Sequence, residues 1–406
     1  MYLTRLSLSN FRIFSRLDLE LPRRIILLSG GNAQGKTSIL EAVAYLANFS
    51  SFQATSDRQL INFNSPSEPV QVGRIVAEFQ RQNRAHTLEV RLIQEFNGNS
   101  LLPRYRRELL LDGVKKRLNE LYGQFNAVTF LPQMSRVVAG SPADRRQYLD
   151  EVLSQVQRGY ASHLADYSKA LTQRNALLKT LQEKGGDVCQ LEPWDDLLAR
   201  HGAQIMRARI LALDELSTLA RPIHQKLTRG LEVLRMPYLP SFEPLPAPKG
   251  QLTLQIQATV DRCGVSAEEL ENGLRQALHT ARREDTARGM TTLGPHRDEF
   301  RFISNNIDLG DFGSRGQNRT ALLALKFAEV EWMRQRTGEW PILLLDEIMA
   351  ELDLQRRLDL QTVLEEVDQA LVTATDPEMF SRAFIDRQEA WQVENGMVRR
   401  LTPAHL

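Results

Sequence analysis

The stretch that decides the fold is GGNAQGKTS, at residues 30–38. It follows the apolar run at residues 25–28, and after it apolar residues recur at steps of three and four. This order predicts a buried strand, a loop and a helix over residues 36–48. A glycine-framed loop at a helix N-terminus is typical of a site for nucleotide phosphates, because free backbone N–H groups and the helix dipole both favour an anion there.

The predicted nucleotide site comprises the whole loop: Gly30, Gly31, Asn32, Ala33, Gln34, Gly35, Lys36, Thr37 and Ser38. The Lys36 ammonium would neutralise charge on the β- and γ-phosphates, and the Thr37 hydroxyl would bind Mg²⁺. The expected cofactors are therefore ATP and Mg²⁺. The alternative is a glycine turn followed by a surface lysine.

A second motif, ILLLDE, occupies residues 342–347. An apolar strand that presents carboxylates only at its C-terminal end is unfavourable unless a cation lies there, since a buried unpaired charge is costly. We expect Asp346 to hold Mg²⁺ and Glu347 to act as the catalytic base that activates water, with Lys36 as its catalytic partner. The alternative is a strand that ends in a solvated acidic turn.

A third motif, FGSRGQNR at residues 312–319, precedes an apolar helix. Ser314, Gly316 and Gln317 would lie at the helix N-terminus, where a hydroxyl and free backbone N–H groups bind anions. Because the glycine loop already holds one set of phosphates, a second phosphate site predicts a homodimer in which each copy offers Ser314 to the nucleotide of the other. Taken alone, the motif would be a glycine-bearing turn before a helix.

Together the three motifs resemble the ABC-type ATPase class, with residues 314–317 in the place of the signature motif and residues 350–353 in the place of the D-loop. The predicted fold class is α/β: an ABC-type ATPase head, a mixed sheet with helices, that carries an inserted helical arm. The expected domains are an N-terminal part of the head at 1–135, the helical arm at 136–290 and a C-terminal part of the head at 291–406.

The arm is expected to be a helical hairpin. Apolar residues at alternating steps of three and four predict one long helix over residues 143–181, and the glycines at 185–186 separate it from a second helical run. A Pro-rich connector at 236–250 leads to a further helix. Ser266 and Glu269 have the spacing of a capping box at its start.

Composition describes an ordinary globular chain of 406 residues, of which 42% are hydrophobic. Lys and Arg number 51 against 50 Asp and Glu, so binding to nucleic acid must depend on local patches or on assembly. Cys189 and Cys263 stand far apart and give neither a disulfide framework nor metal-ligand spacing. We expect a cytoplasmic protein, since the sequence shows neither a signal peptide nor a membrane span.

Beyond these motifs, the sequence resembles the RecF family of bacterial recombination mediators along nearly its whole length. The matching stretches are LSLSNFRIF, NAQGKTSILEA, FLPQMSRVVAGSPADRRQYLD, LTQRNALLK, the Trp194-Asp195 pair, TLGPHRDEF, SRGQNRTALLALKFAE, LLLDEIMAELD and TATD. Several of them, notably GSPADRRQYLD, QRNALLK and GPHRDEF, are not general ATPase motifs, which makes the resemblance specific.

The resemblance implies an ATP-dependent DNA-binding protein of recombinational repair. ATP would induce a homodimer that binds single- and double-stranded DNA at gaps and at their junctions, and slow ATP hydrolysis would release it. The implied partners are RecR and RecO, with which the protein would assist RecA loading. No membrane partner is implied.

Some positions depart from the family pattern. Gln133 stands where Glu is common, and the resemblance implies that it senses Mg²⁺ and the attacking water as a catalytic and metal-site residue. Glu347 stands where many members have Asp, which keeps a carboxylate base. Gln53 replaces an Arg that the family tends to have after the first helix, and Ala350 replaces a common Ser in the D-loop. The contacts of that Arg and of that Ser hydroxyl are therefore not expected here.

The densest cationic cluster lies in a predicted hairpin and comprises Arg104, Arg106, Arg107, Lys115, Lys116 and Arg117. Contact with the DNA backbone and a solvated hairpin face are equally compatible with this run. Arg145 and Arg146 open the predicted long helix, where cations oppose the helix dipole, which favours a binding role over a salt bridge. Residues 295–298, PHRD, favour a rigid turn over a catalytic element.

The ABC-type motifs alone would also fit the motor ATPase subunit of a membrane transporter. The helical insert and the stretch from FLPQM to QYLD argue against that alternative. An ATP-dependent nuclease of the overcoming-lysogenization type would need further acidic metal ligands in a separate domain. The sequence after Asp353 is expected to be too short to hold one.

Overall fold

A computed structural model describes most of the chain. The described ranges are residues 1–62, 69–96, 103–243, 261–375 and 379–401. The second half of the Pro-rich connector, from residue 244, and the last residue of the TATD stretch lie outside these ranges. None of the helices within them combines the length and the apolarity that crossing a membrane requires.

The strands and the α-helices are each given in chain order. The strands are β1 (Tyr2–Phe11), β2 (Phe14–Glu20), β3 (Ile25–Ser29), β4 (Val70–Arg81), β5 (Arg84–Glu95), β6 (Arg104–Leu111), β7 (Val114–Lys115), β8 (Ala127–Phe130), β9 (Leu234–Arg235), β10 (Tyr238–Leu239), β11 (Glu299–Phe300), β12 (Ile303–Ser304), β13 (Ile307–Asp308), β14 (Ile342–Asp346), β15 (Ala370–Ala374), β16 (Glu389–Glu394) and β17 (Met397–Arg400). The α-helices are α1 (Lys36–Asn48), α2 (Leu118–Leu121), α3 (Arg136–Ala139), α4 (Pro142–Val156), α5 (Tyr160–Lys184), α6 (Glu192–Leu227), α7 (Ala267–Arg288), α8 (Leu309–Phe312), α9 (Arg315–Thr337), α10 (Leu354–Glu366) and α11 (Arg382–Ile385).

The chain divides into two compact units, which we call unit 1 and unit 2. Unit 1 combines Met1–Met134 with Glu329–Leu406, and unit 2 is Ser135–Ala328. The first division falls beside the expected boundary at 135. The second falls after 328 instead of 290, because strands that follow residue 290 pair with strands of the expected arm.

The sheet that carries the phosphate loop belongs to unit 1 and has the strand order β17-β16-β3-β15-β14-β8. Strands β3, β15, β14 and β8 run parallel, and every residue of these four strands is buried. Continuous apolar runs are typical of parallel strands covered on both faces. The runs IILL and ILLL therefore form strands without polar alternation, and their C-terminal ends share one edge of the sheet.

The second sheet of unit 1 is antiparallel, with the order β2-β1-β4-β5-β6-β7. The alternation of polar and apolar residues in β1 and β2 predicts half-buried strands, and their burial alternates accordingly. Leu6 and Leu17 of this sheet share one hydrophobic core with Ile39 and Leu40 of α1. Helix α1 begins and ends where the sequence predicts.

Unit 2 is built on the helices α5, α6 and α7, which contact one another. The start of α7 is capped as the sequence predicts: Ser266 Oγ accepts a hydrogen bond from the Glu269 N–H at 3.1 Å. In return, the Ser266 N–H donates to Glu269 Oε2 at 2.7 Å. These two bonds satisfy backbone donors that a helix start otherwise leaves unpaired.

The single long helix expected over residues 143–181 is wrong. Helix α4 ends at Val156 and α5 begins at Tyr160. Gly159 lies between them with φ of 84°, in the left-handed region that glycine adopts at little cost. The three-and-four spacing of apolar residues continues across this break, so periodicity alone did not reveal it.

The short strands of unit 2 explain why it extends beyond residue 290. Strand β10 pairs with β11, and β9 pairs with β12, so residues before and after α7 share the same small sheets. The buried Asp298 accepts hydrogen bonds from the Tyr238 hydroxyl and, at 2.6 Å, from the Ser241 N–H. The segment that contains GPHRDEF is thereby fixed to the arm.

The PHRD segment forms a turn, because the Arg297 N–H donates to Gly294 O at 2.8 Å. The hydroxyl of Tyr167 on α5 lies 2.7 Å from His296 Nδ1. Burial lowers the pKa of His296 to about 4, which keeps the ring neutral and able to accept from Tyr167. These contacts favour the rigid-turn interpretation.

A buried ionic cluster ties the three long helices of unit 2 together. Arg174 on α5 donates to Asp195 on α6 at 2.7 Å and to Asp285 on α7 at 2.6 Å. Arg282 on α7 donates to the second oxygen of Asp195 at 2.7 Å. All four side chains are buried. The family-specific stretches QRNALLK and Trp194-Asp195 therefore contribute to helix packing.

Replacing Arg174 with Met should destabilise the protein strongly, because Asp195 and Asp285 stay buried while each loses an ion-pair partner. The expected loss is about 3–5 kcal/mol of the free energy of unfolding, measured by denaturant titration. Arg275→Met is the matched control. Arg275 also joins α7 to α6, through Asp196 at 2.7 Å, but its side chain is 40% exposed, so the expected loss is about 1 kcal/mol or less. Equal losses in the two variants would contradict a special role for the buried cluster.

Candidate nucleotide site

Two glycines of the phosphate loop are required by their geometry. Gly30 has φ of +145°, and a Cβ there would meet Val393 O at 2.3 Å. Gly35 has φ of +108°, and a Cβ there would meet Ile13 Cδ1 and Phe14 Cζ at 2.7 Å. Both positions combine a left-handed backbone with close neighbours, so only glycine fits. The loop therefore turns sharply from β3 into α1 and leaves the first N–H groups of α1 for an anion.

Lys36 is the first residue of α1, and its side chain is only 4% exposed. Its Nζ donates to Gly30 O at 2.6 Å and to Gly31 O at 2.9 Å, and lies 3.3 Å from Glu347 Oε1. A buried ammonium needs such partners, since desolvation is costly. The loop thus concentrates positive charge where the sequence places the phosphates.

Asp346 lies at the C-terminal end of β14, where two hydroxyls converge on it. Thr37 Oγ1 donates to Asp346 Oδ1 at 2.9 Å, and Thr373 Oγ1 donates to the same oxygen at 2.8 Å. A carboxylate beside threonine hydroxyls offers the hard oxygen ligands that Mg²⁺ prefers. The predicted metal residues Thr37 and Asp346 are therefore brought together and fit that ion.

Burial raises the pKa of Asp346, and the neighbouring Glu347 charge acts in the same direction. The hydrogen bonds from Thr373 and Thr37, and the Lys36 charge, lower the pKa and oppose that effect. Thr373 is absent from the residues inferred from the sequence. The signal is its strand pairing, because Thr373 on β15 lies directly opposite Asp346 on β14.

Glu347 follows Asp346 with φ of 49° and ψ of 19°. A left-handed conformation is uncommon for glutamate and turns the chain at the end of the strand. The Glu347 N–H donates to Thr373 Oγ1 at 2.9 Å, which fixes this turn. Its carboxylate reaches Lys36 and is 34% exposed, so it can meet water as a general base must.

The third motif forms the start of α9, within unit 2. Ser314 Oγ accepts from the Gln317 N–H at 3.2 Å, and the Ser314 N–H donates to Gln317 Oε1 at 3.0 Å. Ser314 and Gly316 are exposed, and Gln317 is half-buried. A Cβ on Gly313 would meet Asn318 Oδ1 at 2.2 Å, so the turn into α9 requires glycine. Lys36 and Ser314 belong to different units.

Comparison with known proteins decides the family. A family model described as the RecF/RecN/SMC N terminal domain matches residues 2–399. The DNA replication and repair protein RecF of Herpetosiphon aurantiacus is 36% identical over 406 residues, with 98% of this chain and 99% of the relative covered. The chain belongs to the RecF family. RecF of Chloroflexus aurantiacus is 38% identical over 407 residues, with 98% of this chain and 99% of the relative covered.

Comparison with solved structures also supports the RecF family. A recombination mediator protein RecF with ATP, from the RecFOR pathway, matches with a TM-score of 0.80 and 28% identity, covering 98% of this chain and 99% of that one. An SMC head bound to the C-winged helix domain of ScpA has a TM-score of 0.54 at 14% identity, which shows a shared fold alone. The expected resemblance and the α/β ATPase fold class are confirmed. RecF relatives along the whole chain disfavour the transporter alternative.

Besides Glu347, three further positions that depart from the RecF family pattern lie in unit 1. Gln133 is exposed in the short turn Pro132–Ser135 just beyond β8, the sheet neighbour of β14. This turn follows the C-terminal end of a parallel strand, at the same sheet edge as Asp346. Gln53 and Ala350 are exposed as well.

The basic hairpin comprises β6, β7 and the two residues that follow. Some of its cationic side chains contact other residues, and others form no ion pair within the described ranges. Arg107 donates to Tyr45 Oη at 2.9 Å and to Phe49 O at 2.8 Å, which ties β6 to α1. Arg106 and Lys115 both pair with Glu108. Arg104, Lys116 and Arg117 form no ion pair with any residue that the structure describes.

The two arginines at the start of α4 are engaged within unit 2. Arg145 is buried, pairs with Glu299 and donates to Gly140 O at 2.9 Å. Arg146 donates to Asp298 O at 2.9 Å. The binding role favoured from the sequence is therefore wrong for Arg145, which forms a salt bridge.

Mg²⁺-dependent nucleotide binding should weaken on acidification. The pH midpoint of this loss should lie above the ordinary pKa of aspartate. Metal binding needs the deprotonated carboxylate, and burial raises the pKa of Asp346. Thr373→Val removes a hydrogen bond that lowers this pKa, so the midpoint should move to still higher pH. Titration with a fluorescent ATP analogue, with and without Mg²⁺, from about pH 4, near the ordinary pKa of aspartate, to about pH 8 measures the shift.

Thr129→Val is the matched control, since Thr129 is a buried threonine on β8 whose hydroxyl contacts Met134 Sδ at 4.0 Å. This variant should keep the wild-type midpoint. A midpoint that is the same in Thr373→Val and in the wild type would contradict the assignment of Asp346 as the titrating metal ligand.

Proposed function

We propose that this chain is an ATP-dependent DNA-binding protein of recombinational repair with weak ATPase activity. ATP joins two copies into a homodimer, the dimer binds DNA at gaps and at junctions of single and double strands, and slow hydrolysis releases it. The observation that carries this proposal is the division of the site. The nucleotide loop and the acidic pair lie together in unit 1, whereas the signature serine lies exposed in unit 2.

This division supports a composite site. A phosphate held by the loop can accept further hydrogen bonds. An exposed serine at a helix N-terminus can donate one, and the loop that holds the phosphate lies in the other unit. A second copy can supply Ser314 to the nucleotide bound by the first, with Gly316 and Gln317 beside it. By symmetry the dimer has two such sites, as expected for a closed two-fold assembly.

Lys36 and Glu347 connect nucleotide binding to hydrolysis. The two side chains lie 3.3 Å apart, so their charges partly neutralise each other. A triphosphate carries more charge than one carboxylate and would draw the Lys36 ammonium toward itself. The Glu347 carboxylate would then be available to accept a proton from the attacking water, with Gln133 orienting that water. Mg²⁺ held by Thr37 and Asp346 would neutralise phosphate charge.

DNA binding is proposed to follow dimerisation. The chain has a net charge of only +1, so one copy attracts a polyanion weakly, and two copies would bring their basic hairpins to a common substrate. ATP would then control DNA affinity by shifting the population toward the dimer. The RecF relative solved with ATP is described as part of the RecFOR pathway, which supports RecR and RecO as partners. With them, the chain would help to load RecA in the cytoplasm.

The central test compares DNA binding with and without ATP. A titration of gapped, duplex and single-stranded DNA should show at least about tenfold tighter binding with ATP, because only the dimer joins two binding surfaces. Lys36→Met should lose this increase, since the loop can no longer neutralise the phosphates. The ATP-free affinity of the variant serves as its own control. Equal affinity under all conditions would refute ATP-gated binding.

The basic hairpin should contribute through Arg104, Lys116 and Arg117. Replacing these three with Ala should weaken DNA binding by roughly tenfold or more. The negative slope of log affinity against log salt should become less steep by about 2 to 3, since each phosphate contact that is lost no longer releases counterions. The matched control is Arg106→Ala with Lys115→Ala, because Glu108 already pairs with both. An unchanged salt slope in the triple variant would place the DNA surface elsewhere.

A further inference from the structure

Glu232 links the signature motif to the arm. We propose that Glu232 is a positioning residue that orients Ser314, through Gln317, for the phosphate bound by a second copy of the chain. This inference rests on the proposed function, in which Ser314 completes the partner's nucleotide site. Glu232 lies between α6 and β9, far in sequence from each ATPase motif.

The Glu232 carboxylate is held at both oxygens. Oε1 accepts from Gln317 Nε2 at 3.1 Å, and Oε2 accepts from Ser304 Oγ at 2.8 Å. The buried His224 also lies close, with Nε2 at 3.8 Å from Oε2. The Glu232 side chain is 19% exposed. Strand β12 and the end of α6 thus fix the carboxylate beside α9.

This carboxylate decides the orientation of the Gln317 amide. A glutamine side chain has a donor end and an acceptor end, whereas an ionised carboxylate only accepts. Because Glu232 takes the donor end, Gln317 Oε1 faces the Ser314 N–H, which donates to it at 3.0 Å. The amide would lose this fixed orientation if its nitrogen had no acceptor.

The oriented Gln317 amide thereby holds the Ser314 backbone through the Ser314 N–H, and the Gln317 backbone N–H holds the Ser314 hydroxyl. Ser314 Oγ accepts from the Gln317 N–H at 3.2 Å, so the hydroxyl proton is directed to another acceptor. Ser314 is exposed, and a phosphate oxygen is such an acceptor. A donor that is oriented before the phosphate arrives stabilises it without a further ordering cost.

Geometry and charge predict opposite effects for Glu232. A negative charge near a phosphate site opposes phosphate binding, so a residue present only for its charge would be inhibitory. A residue that positions Gln317 needs an oxygen acceptor and not the charge. Glu232→Gln separates the two effects, because its amide oxygen can accept from Gln317 while its amide nitrogen donates to Ser304 Oγ.

The experiment uses the whole 406-residue chain with duplex DNA. ATP-dependent dimerisation is measured by light scattering, hydrolysis by single-turnover kinetics, and nucleotide affinity by titration of the dilute monomer. Glu232→Ala should lower the hydrolysis rate and the dimer affinity about five- to tenfold, with unchanged nucleotide affinity of the monomer. Glu232→Gln should stay within about twofold of the wild type. In a Gln317→Ala background, Glu232→Ala should cause no further loss.

Glu284→Gln is the matched control, because Glu284 is an exposed glutamate on α7 that pairs with Arg288. Ser314→Ala is the reference for the proposed function. If Ser314→Ala dimerises and hydrolyses normally, the composite site itself is wrong. If Ser314→Ala is impaired but Glu232→Ala matches Glu284→Gln, only the positioning role is overturned, and equal damage in Glu232→Gln and Glu232→Ala overturns it as well.

Ser304→Ala provides the same test should Glu232→Ala be unstable in thermal unfolding. It removes one anchor of the carboxylate while leaving Glu232 and Gln317 in place. A smaller loss in the same direction, with unchanged nucleotide affinity of the monomer, is expected. Wild-type dimerisation and hydrolysis in this variant would overturn the proposal.

Discussion

The constraint on which the rest depends is that parallel strands bring their C-terminal ends to one edge of a sheet. Strand β3 delivers the glycine loop there, β14 delivers Asp346 and Glu347, and β15 delivers Thr373 opposite Asp346. Helix α1 then points its N-terminus at the same edge. Because each group reaches the site from a buried strand, the loop and the acidic pair are held by the core and not by surface contacts.

Burial gives these groups their chemistry. Lys36 and Asp346 are almost fully buried, and the low dielectric strengthens each interaction that they make. Desolvation is met by loop carbonyls around the ammonium and by threonine hydroxyls around the carboxylate. These partners are neutral, and Glu347 neutralises Lys36 only in part. The Lys36 ammonium and the Asp346 carboxylate therefore each retain attraction for a ligand of opposite sign. This balance suits the proposed binding of a polyanion and a divalent cation.

Local signals predicted the elements that carry the site. The bounds of α1 and the capping of α7 follow from the spacing of residues along one segment. Helical and capping hydrogen bonds join residues three or four positions apart, so that spacing reveals them. The missed features depend on distant residues: Thr373 reaches Asp346 through strand pairing, and Glu299 neutralises Arg145. The break at Gly159 is local, but the apolar spacing that continues through it conceals it. Contacts between residues far apart in sequence produce no pattern within one segment, so the sequence alone does not reveal them.

The stretches that make the family resemblance specific do different work from those that bind nucleotide. The QRNALLK, Trp194-Asp195 and GPHRDEF stretches supply Arg174, Asp195 and Asp298, whose buried contacts hold the helices and small sheets of unit 2. Removing one member of a buried ion pair is costly, because it leaves the charge of its partner uncompensated. The three stretches do not touch the phosphate loop. In the proposed function unit 2 contributes Ser314 to the chemistry, and Ser304 on β12 helps to hold Glu232, which accepts from the Gln317 amide. In that proposal, the packing of unit 2 would determine how accurately one copy places Ser314 at the nucleotide bound by another.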